Sequence, residues 1–219
     1  MKEQRRKIVI VIKHLTESRF EEEIRNISCD ITVYVDSMRK LKKGFFDKSS
    51  HCYSSNTMGF FVKNNDEENE YPEMFIFINQ NLPLYQKMTV FFHEAGHYLC
   101  EKKKCCCKKS KIKHLSEVHA MKYDLKQCLD KRFVRSLEYT FNQIQVFSNE
   151  TNKINNPLYH KAAKVVMRSK LWLECDNFLA IYHGCQIPPK PYERKKSILR
   201  RFSHKIKNFI VSRVFVKMS

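Results

Sequence analysis

His93-Glu94-Ala95-Gly96-His97 places two imidazoles and a carboxylate in an H-E-x-x-H pattern. On a helix, residues i and i+4 emerge one turn apart on the same face, so both rings can converge on one ion. Zinc accepts neutral histidine nitrogen at about 2.0–2.1 Å, prefers four ligands, and in catalytic sites keeps one position for water. A glutamate next to the first ligand reaches that water, whose pKa the ion lowers to about 7. Glu94 would then take the water's proton as it attacks a polarised carbonyl, and return it to the leaving amine. The pattern has only three fixed positions and also arises by chance, so its setting has to decide.

A third ligand is the first part of that setting. The next predicted helix offers His114, Glu117, His119 and Asp124. Glu117 and His119 are two residues apart and point to different faces of a helix. Glu117 is the preferred ligand, because a carboxylate completes a His-His-Glu set used by hydrolytic zinc enzymes. His119 is the alternative. The longer H-E-x-x-H-x-x-G-x-x-H pattern is excluded, since Cys100 and Lys103 stand where glycine and histidine would be required. Asp124 is a candidate for orienting a ligating histidine through its second ring nitrogen, and an exposed helix acid is the equal alternative. Tyr98, His119 and Tyr123 are candidates for stabilising an oxyanion, and the sequence does not choose among them.

The elements that must position these groups follow from periodicity. Glu17–Arg25 reads as a helix. Ile31–Val35 and Met58–Lys63 are β-branched and aromatic, and read as strands. Met74–Asn79 is a short apolar run bounded by Pro72 and Asn79, which fits a buried strand. The period then changes. Leu84, Met88, Phe91, Phe92 and Leu99 recur at helical spacing, so Leu84–Cys100 reads as the helix carrying the motif. Helices are also expected over His114–Leu129, Phe133–Phe147 and, as one long element, Tyr159–Tyr182, with a polar break at Asn149–Asn156. Pro188, Pro189 and Pro191 mark a hinge before a basic amphipathic helix, Arg194–Lys217.

Together, the strand Phe75-Ile76-Phe77-Ile78-Asn79, then Leu82, Thr89 and His93-Glu94-Ala95-Gly96-His97-Tyr98-Leu99, resemble the core of the ImmA/IrrE metallopeptidases. In that family a strand ending in asparagine leads into a helix bearing H-E-x-G-H. A following helix supplies a glutamate in an E-x-x-A-x-x-[FY] pattern, here Glu117-Val118-His119-Ala120-Met121-Lys122-Tyr123. The resemblance covers roughly residues 56–130. It implies that His93, His97 and Glu117 bind one zinc ion and that Glu94 is the base. It also implies a protein substrate, such as a DNA-binding repressor of a mobile element or stress regulon. The chain departs from the family after the third ligand: Cys128-Leu129-Asp130-Lys131 stands where a short apolar segment ending in Met-Pro is common.

Composition bounds the rest. With 219 residues, 42% hydrophobic and only four glycines, the chain can core one globular domain and does not suit a turn-rich β-sandwich. The expected class is α+β, a small N-terminal β-sheet packed on a helical zincin-like body that carries the H-E-x-x-H helix. The expected division is a metallopeptidase-like domain over 1–148, a helical extension over 149–188 and the basic amphipathic segment over 189–219. The formal charge is +18, concentrated in 100–114, with seven lysines against one glutamate, and in 189–219, with ten lysines and arginines against one glutamate. Such stretches are either solvated faces or contacts for nucleic acid or anionic membrane.

Nine cysteines, three of them contiguous at Cys105–Cys107, make a poor disulfide framework and point to a reducing compartment, hence the cytoplasm. The Cys run reads either as a surface loop or as a second metal or redox site. The apolar run Ile8–Ile12 is too short for a signal-peptide core, and no stretch is long enough to span a bilayer. The expected function is zinc-dependent endopeptidase. The competing class is a non-proteolytic regulatory or binding protein on the same fold. Retention of Glu94 favours the enzyme, because a purely structural zinc site has no use for a base beside its ligand.

Overall fold

The computed structural model describes residues 15–27, 31–37, 57–64, 73–103 and 114–184. The Ile8–Ile12 run, the Cys105–Cys107 run, the proline hinge and the basic segment 189–219 lie outside the described residues. Helix α1 (Glu17–Arg25) precedes strands β1 (Thr32–Asp36), β2 (Gly59–Asn64) and β3 (Glu73–Asn79). Six helices follow among the described residues: α2 (Leu84–Lys102), α3 (His114–Lys131), α4 (Val134–Ser148), α5 (Thr151–Asn155), α6 (Pro157–Val166) and α7 (Lys170–Tyr182). The class is α+β.

The sheet has the order β1-β3-β2. The apolar run takes the centre: β3 pairs in parallel with β1, Val33 opposite Ile76, and antiparallel with β2, Phe61 opposite Ile76. Ile76, Phe77 and Ile78 are all buried. Ile76 and Ile78 join the main core, while Phe77 stacks with Phe60 and Tyr34 in a separate aromatic cluster. Burying such side chains contributes roughly 1.5–3 kcal/mol each, which fixes the register, since a one-residue slip would exchange the two faces.

Asn79 ends the strand for a local reason. Its side-chain oxygen accepts the backbone N–H of Asn81, and its carbonyl accepts that of Leu82. This asparagine turn mimics a backbone turn and delivers the chain into α2. Helix α2 packs on β2 and β3 through Val90, Phe91 and neighbouring apolar residues, and against α3 on its other side.

Two segments differ from the sequence expectation. The polar stretch Asn149–Asn156 contains the short helix α5. The single helix expected over Tyr159–Tyr182 is two, α6 and α7. The side chain of Ser169 accepts the Trp172 N–H and caps α7, so a polar capping residue outcompetes continuation of the helix. Pro157 begins α6, a position where its missing N–H costs nothing. The two helices then pack separately against α3 and α4.

Candidate metal centre

His93 and His97 lie on the face of α2 that meets α3, with ring centroids 5.0 Å apart. How α3 comes so close is set by Gly96. A Cβ at Gly96 would lie 2.7 Å from Ala120 Cα and 3.2 Å from Tyr123 Cβ. Glycine in a helix interior costs about 1 kcal/mol relative to alanine. Here it lets two backbones approach, with the small residue Ala120 opposite. The alanine of the E-x-x-A pattern and the glycine of H-E-x-G-H thus form one contact. Glu117, one turn before Ala120, is carried up to the histidines.

Glu117 Oε2 is 3.4 Å from His93 Nε2 and 3.6 Å from His97 Nε2. Ligand atoms of the three residues all lie within 4.8 Å of one another, and among the described residues no other group of histidine, cysteine or acid does this. His97 Nδ1 is 2.9 Å from Ser116 Oγ. With the proton on Nδ1 donated to Ser116, the Nε2 lone pair faces Glu117, the tautomer a metal ligand needs.

Electrostatics single out two of these groups, Glu117 and His93. Burial alone would raise the Glu117 carboxyl, but His93 and His97 against its oxygens outweigh burial and hold it well below the usual carboxylate range. Burial alone would lower His93; the Glu117 contact and the charges of Glu94, Glu117 and Asp124 instead raise it to about 9. Yet the buried Glu117 Oε2 receives no hydrogen bond. A buried carboxylate oxygen without a proton donor is costly. Two imidazole nitrogens and an unpartnered carboxylate oxygen around one point form a donor set suited to a divalent cation. The residues fit the ion.

The other sequence candidates fall elsewhere. His119 Nδ1 is 3.2 Å from Cys100 Sγ, so this histidine stands outside the cluster. Tyr98 is buried among core residues and its hydroxyl accepts from Lys102 Nζ. The phenol of Tyr123 is raised by burial and by the charge of Glu23.

Asp124 is buried at 1% exposure and is not the exposed helix acid its sequence position allowed. It accepts hydrogen bonds from Thr140 Oγ1 at 2.9 Å and from Cys128 Sγ at 3.3 Å. Burial raises it to about 7, against the opposing pull of His93, Thr140 and Cys128.

Tyr159 is the residue that sequence reasoning missed. It comes from the first turn of α6. His160, next to it, donates its Nδ1–H to the carbonyls of Phe147 and Asn149 at 3.2 and 3.1 Å, anchoring that turn to the end of α4. The Tyr159 ring packs on Phe147 at 4.9 Å. Burial, then the negative charges of Glu117 and Glu94, raise its phenol, so it stays a proton donor. No pattern around Asn156-Pro157-Leu158-Tyr159 signals this placement.

Two cavities flank the centre. One of about 260 Å³ is bounded by His93, Glu94, Met58, Val90 and Ile144. The other, of about 560 Å³, is bounded by His97, Glu117, Phe60 and Phe61. Glu94, Gly59 and Tyr159 border both. Gly59 allows this closeness: a Cβ there would collide with Val90 and lie 2.6 Å from the Phe77 carbonyl oxygen. Edge strand β2 therefore lies directly over the motif helix.

An α+β fold with a metal-competent His-His-Glu cluster on two packed helices is the setting of a metallopeptidase-type centre. Residues 41–117 match the peptidase family described as the IrrE N-terminal-like domain, the family that the motifs resemble. The match includes His93, Glu94 and His97 and ends on Glu117. No curated protein matches the chain, and no solved structure does. Among the described residues no helix is long and apolar enough to cross a membrane.

Proposed function

We propose that this protein is a zinc-dependent endopeptidase. The observation that carries the reading is the buried, unpartnered Glu117 Oε2 between two histidine Nε2 atoms, with Glu94 alongside. His93, His97 and Glu117 would hold the ion. Bound there, zinc supplies Lewis acidity and an acidified water. Glu94, which borders both cavities, accepts a proton from the attacking water and returns it to the leaving amine. Tyr159 donates its hydroxyl to the oxyanion that develops on the scissile carbonyl, a role its raised pKa supports. Ser116 holds the His97 tautomer.

Among the described residues β2 pairs only with β3. Its other edge, beside Glu94, suits an extended peptide added as a further strand. The resemblance favours a DNA-binding repressor or regulator of a mobile element or stress response as substrate. The cytoplasm is the proposed compartment, in keeping with buried thiols at Cys128 and Cys175. The basic stretch 189–219 is proposed to draw the protein to nucleic acid or anionic membrane.

The test uses full-length protein loaded with zinc and a proteome-derived peptide library, with new termini identified by mass spectrometry. Wild type should generate them. Glu94→Ala should bind zinc equally and generate none. Tyr159→Phe should keep zinc and lose roughly 10²–10³ in kcat. Cleavage that survives Glu94→Ala, or wild type that takes up no zinc, would overturn the reading.

A further inference from the structure

The smaller cavity is unusual in its lining. Met58, Val90, Met121, Ile144 and Phe147 supply apolar walls. Its buried polar groups are already engaged. Asp124 is bonded to Thr140 and Cys128, Thr140 Oγ1 also lies 3.3 Å from Thr89 Oγ1, and Thr89 donates to the Tyr85 carbonyl at 3.1 Å. A charged head seated against these groups would have to break their bonds, which is costly in a buried site, and the other charged lining groups, Glu94 and His93, are those the peptidase reading assigns to the water and the ion. An apolar occupant gains burial and leaves them intact. The volume is also informative. A cavity of about 150 Å³ takes a benzene-sized group, so about 260 Å³ has room for a leucine, methionine or phenylalanine side chain.

Its position along β2 gives the direction. The cavity meets the start of the strand, at Met58 and Gly59, while the larger one meets Phe60 and Phe61. Antiparallel pairing is the more stable way to add a strand. A peptide lying antiparallel to β2 across Glu94 has its C-terminal half over Met58.

We propose that this cavity is the subsite for a large apolar side chain on the residue that follows the scissile bond. The inference rests on the peptidase reading and names the substrate preference of that same site.

Binding, rather than turnover, tests it. The probes are hydroxamates with one common backbone, whose side chain beside the metal-binding group is hydrogen, methyl, isobutyl, benzyl or aminobutyl. Their affinities for the zinc-loaded full-length protein are measured by calorimetry. Isobutyl and benzyl should bind roughly ten- to a hundredfold more tightly than hydrogen, and aminobutyl no more tightly than hydrogen. Ile144→Ala, or Met121→Ala should the first not fold, should shift the optimum from isobutyl towards benzyl. A flat series, or one led by aminobutyl, overturns the subsite and leaves the peptidase reading standing. Failure of every hydroxamate to bind protein shown to hold zinc overturns both.

Discussion

Glu117 and Asp124 stand two turns apart on α3, and their carboxyl groups are held in opposite states. Glu117 faces two imidazoles, is driven below the usual carboxylate range, and keeps one buried oxygen without a proton donor. Asp124 is buried more completely, has a donor on each oxygen, and is raised to about 7. Burial pushes both upward. What differs is the company: two imidazoles beside the first, hydroxyl and thiol donors beside the second. The helix thus carries one acid built to meet a cation and another built to hold its surroundings together.

The largest expected effect breaks the first of these. Glu117→Ala removes the proposed third ligand, and zinc affinity should fall by more than roughly a hundredfold, the upper end of what losing a mere orienting group costs. Asp124→Asn should lose less than about tenfold in the same chelator-competition titration. Equal losses would show that the two acids do the same job.

Gly96→Ala comes next. Its methyl would lie 2.7 Å from Ala120 Cα, backbone that cannot simply rotate away. The helix pair must part, costing about 1–3 kcal/mol in urea unfolding, with zinc affinity falling in step because Glu117 moves with Ala120. Thr140→Val strips Asp124 of its hydroxyl donor and should cost about 1–3 kcal/mol, with zinc affinity unchanged.

The pH dependence is the finest discriminator, read from urea unfolding of metal-free protein at a series of pH values. Asp124 rises from 3.8 to about 7 on folding, so its contribution is complete below pH 3.8 and is lost as pH climbs through 7. His93 rises from 6.5 to about 9, so its contribution is complete below 6.5 and is lost through 9. Glu117 has the opposite sign: lowered from 4.5, it stabilises above that value and its contribution disappears as pH falls through its folded pKa. Asp124→Asn should therefore abolish the loss of stability between about pH 4 and 7 and leave the one between 6.5 and 9. Zinc should displace the His93 proton, so uptake below pH 9 should release acid in calorimetry across buffers of different ionisation enthalpy.

Much of this arrangement was legible because it is local. The β3 run, the asparagine at its end and the helical spacing from Leu84 onward read directly as strand, turn and helix, since each rests on neighbours a few residues away. The break between α6 and α7 was not legible, because apolar periodicity runs through it and the deciding event is one serine side chain accepting the Trp172 N–H. The burial of Asp124 was equally hidden. An acid on a helix reads as solvent-facing until Thr140, from a different helix, is seen to cover it.

The sequence by itself determined that His93, Glu94 and His97 share one turn of helix, because 3.6-residue periodicity is a property of the backbone. It also narrowed the candidates for a third ligand to a short segment. Only the tertiary structure decided that Glu117, rather than His119, meets the two imidazoles. That choice depends on which face of α3 lies against α2, and the contact of Gly96 with Ala120 sets it. The tertiary structure alone also brought in Tyr159 and walled the apolar cavity, because both require helices distant in the chain to dock. Docking is governed by the summed burial of many side chains, and no single motif encodes it.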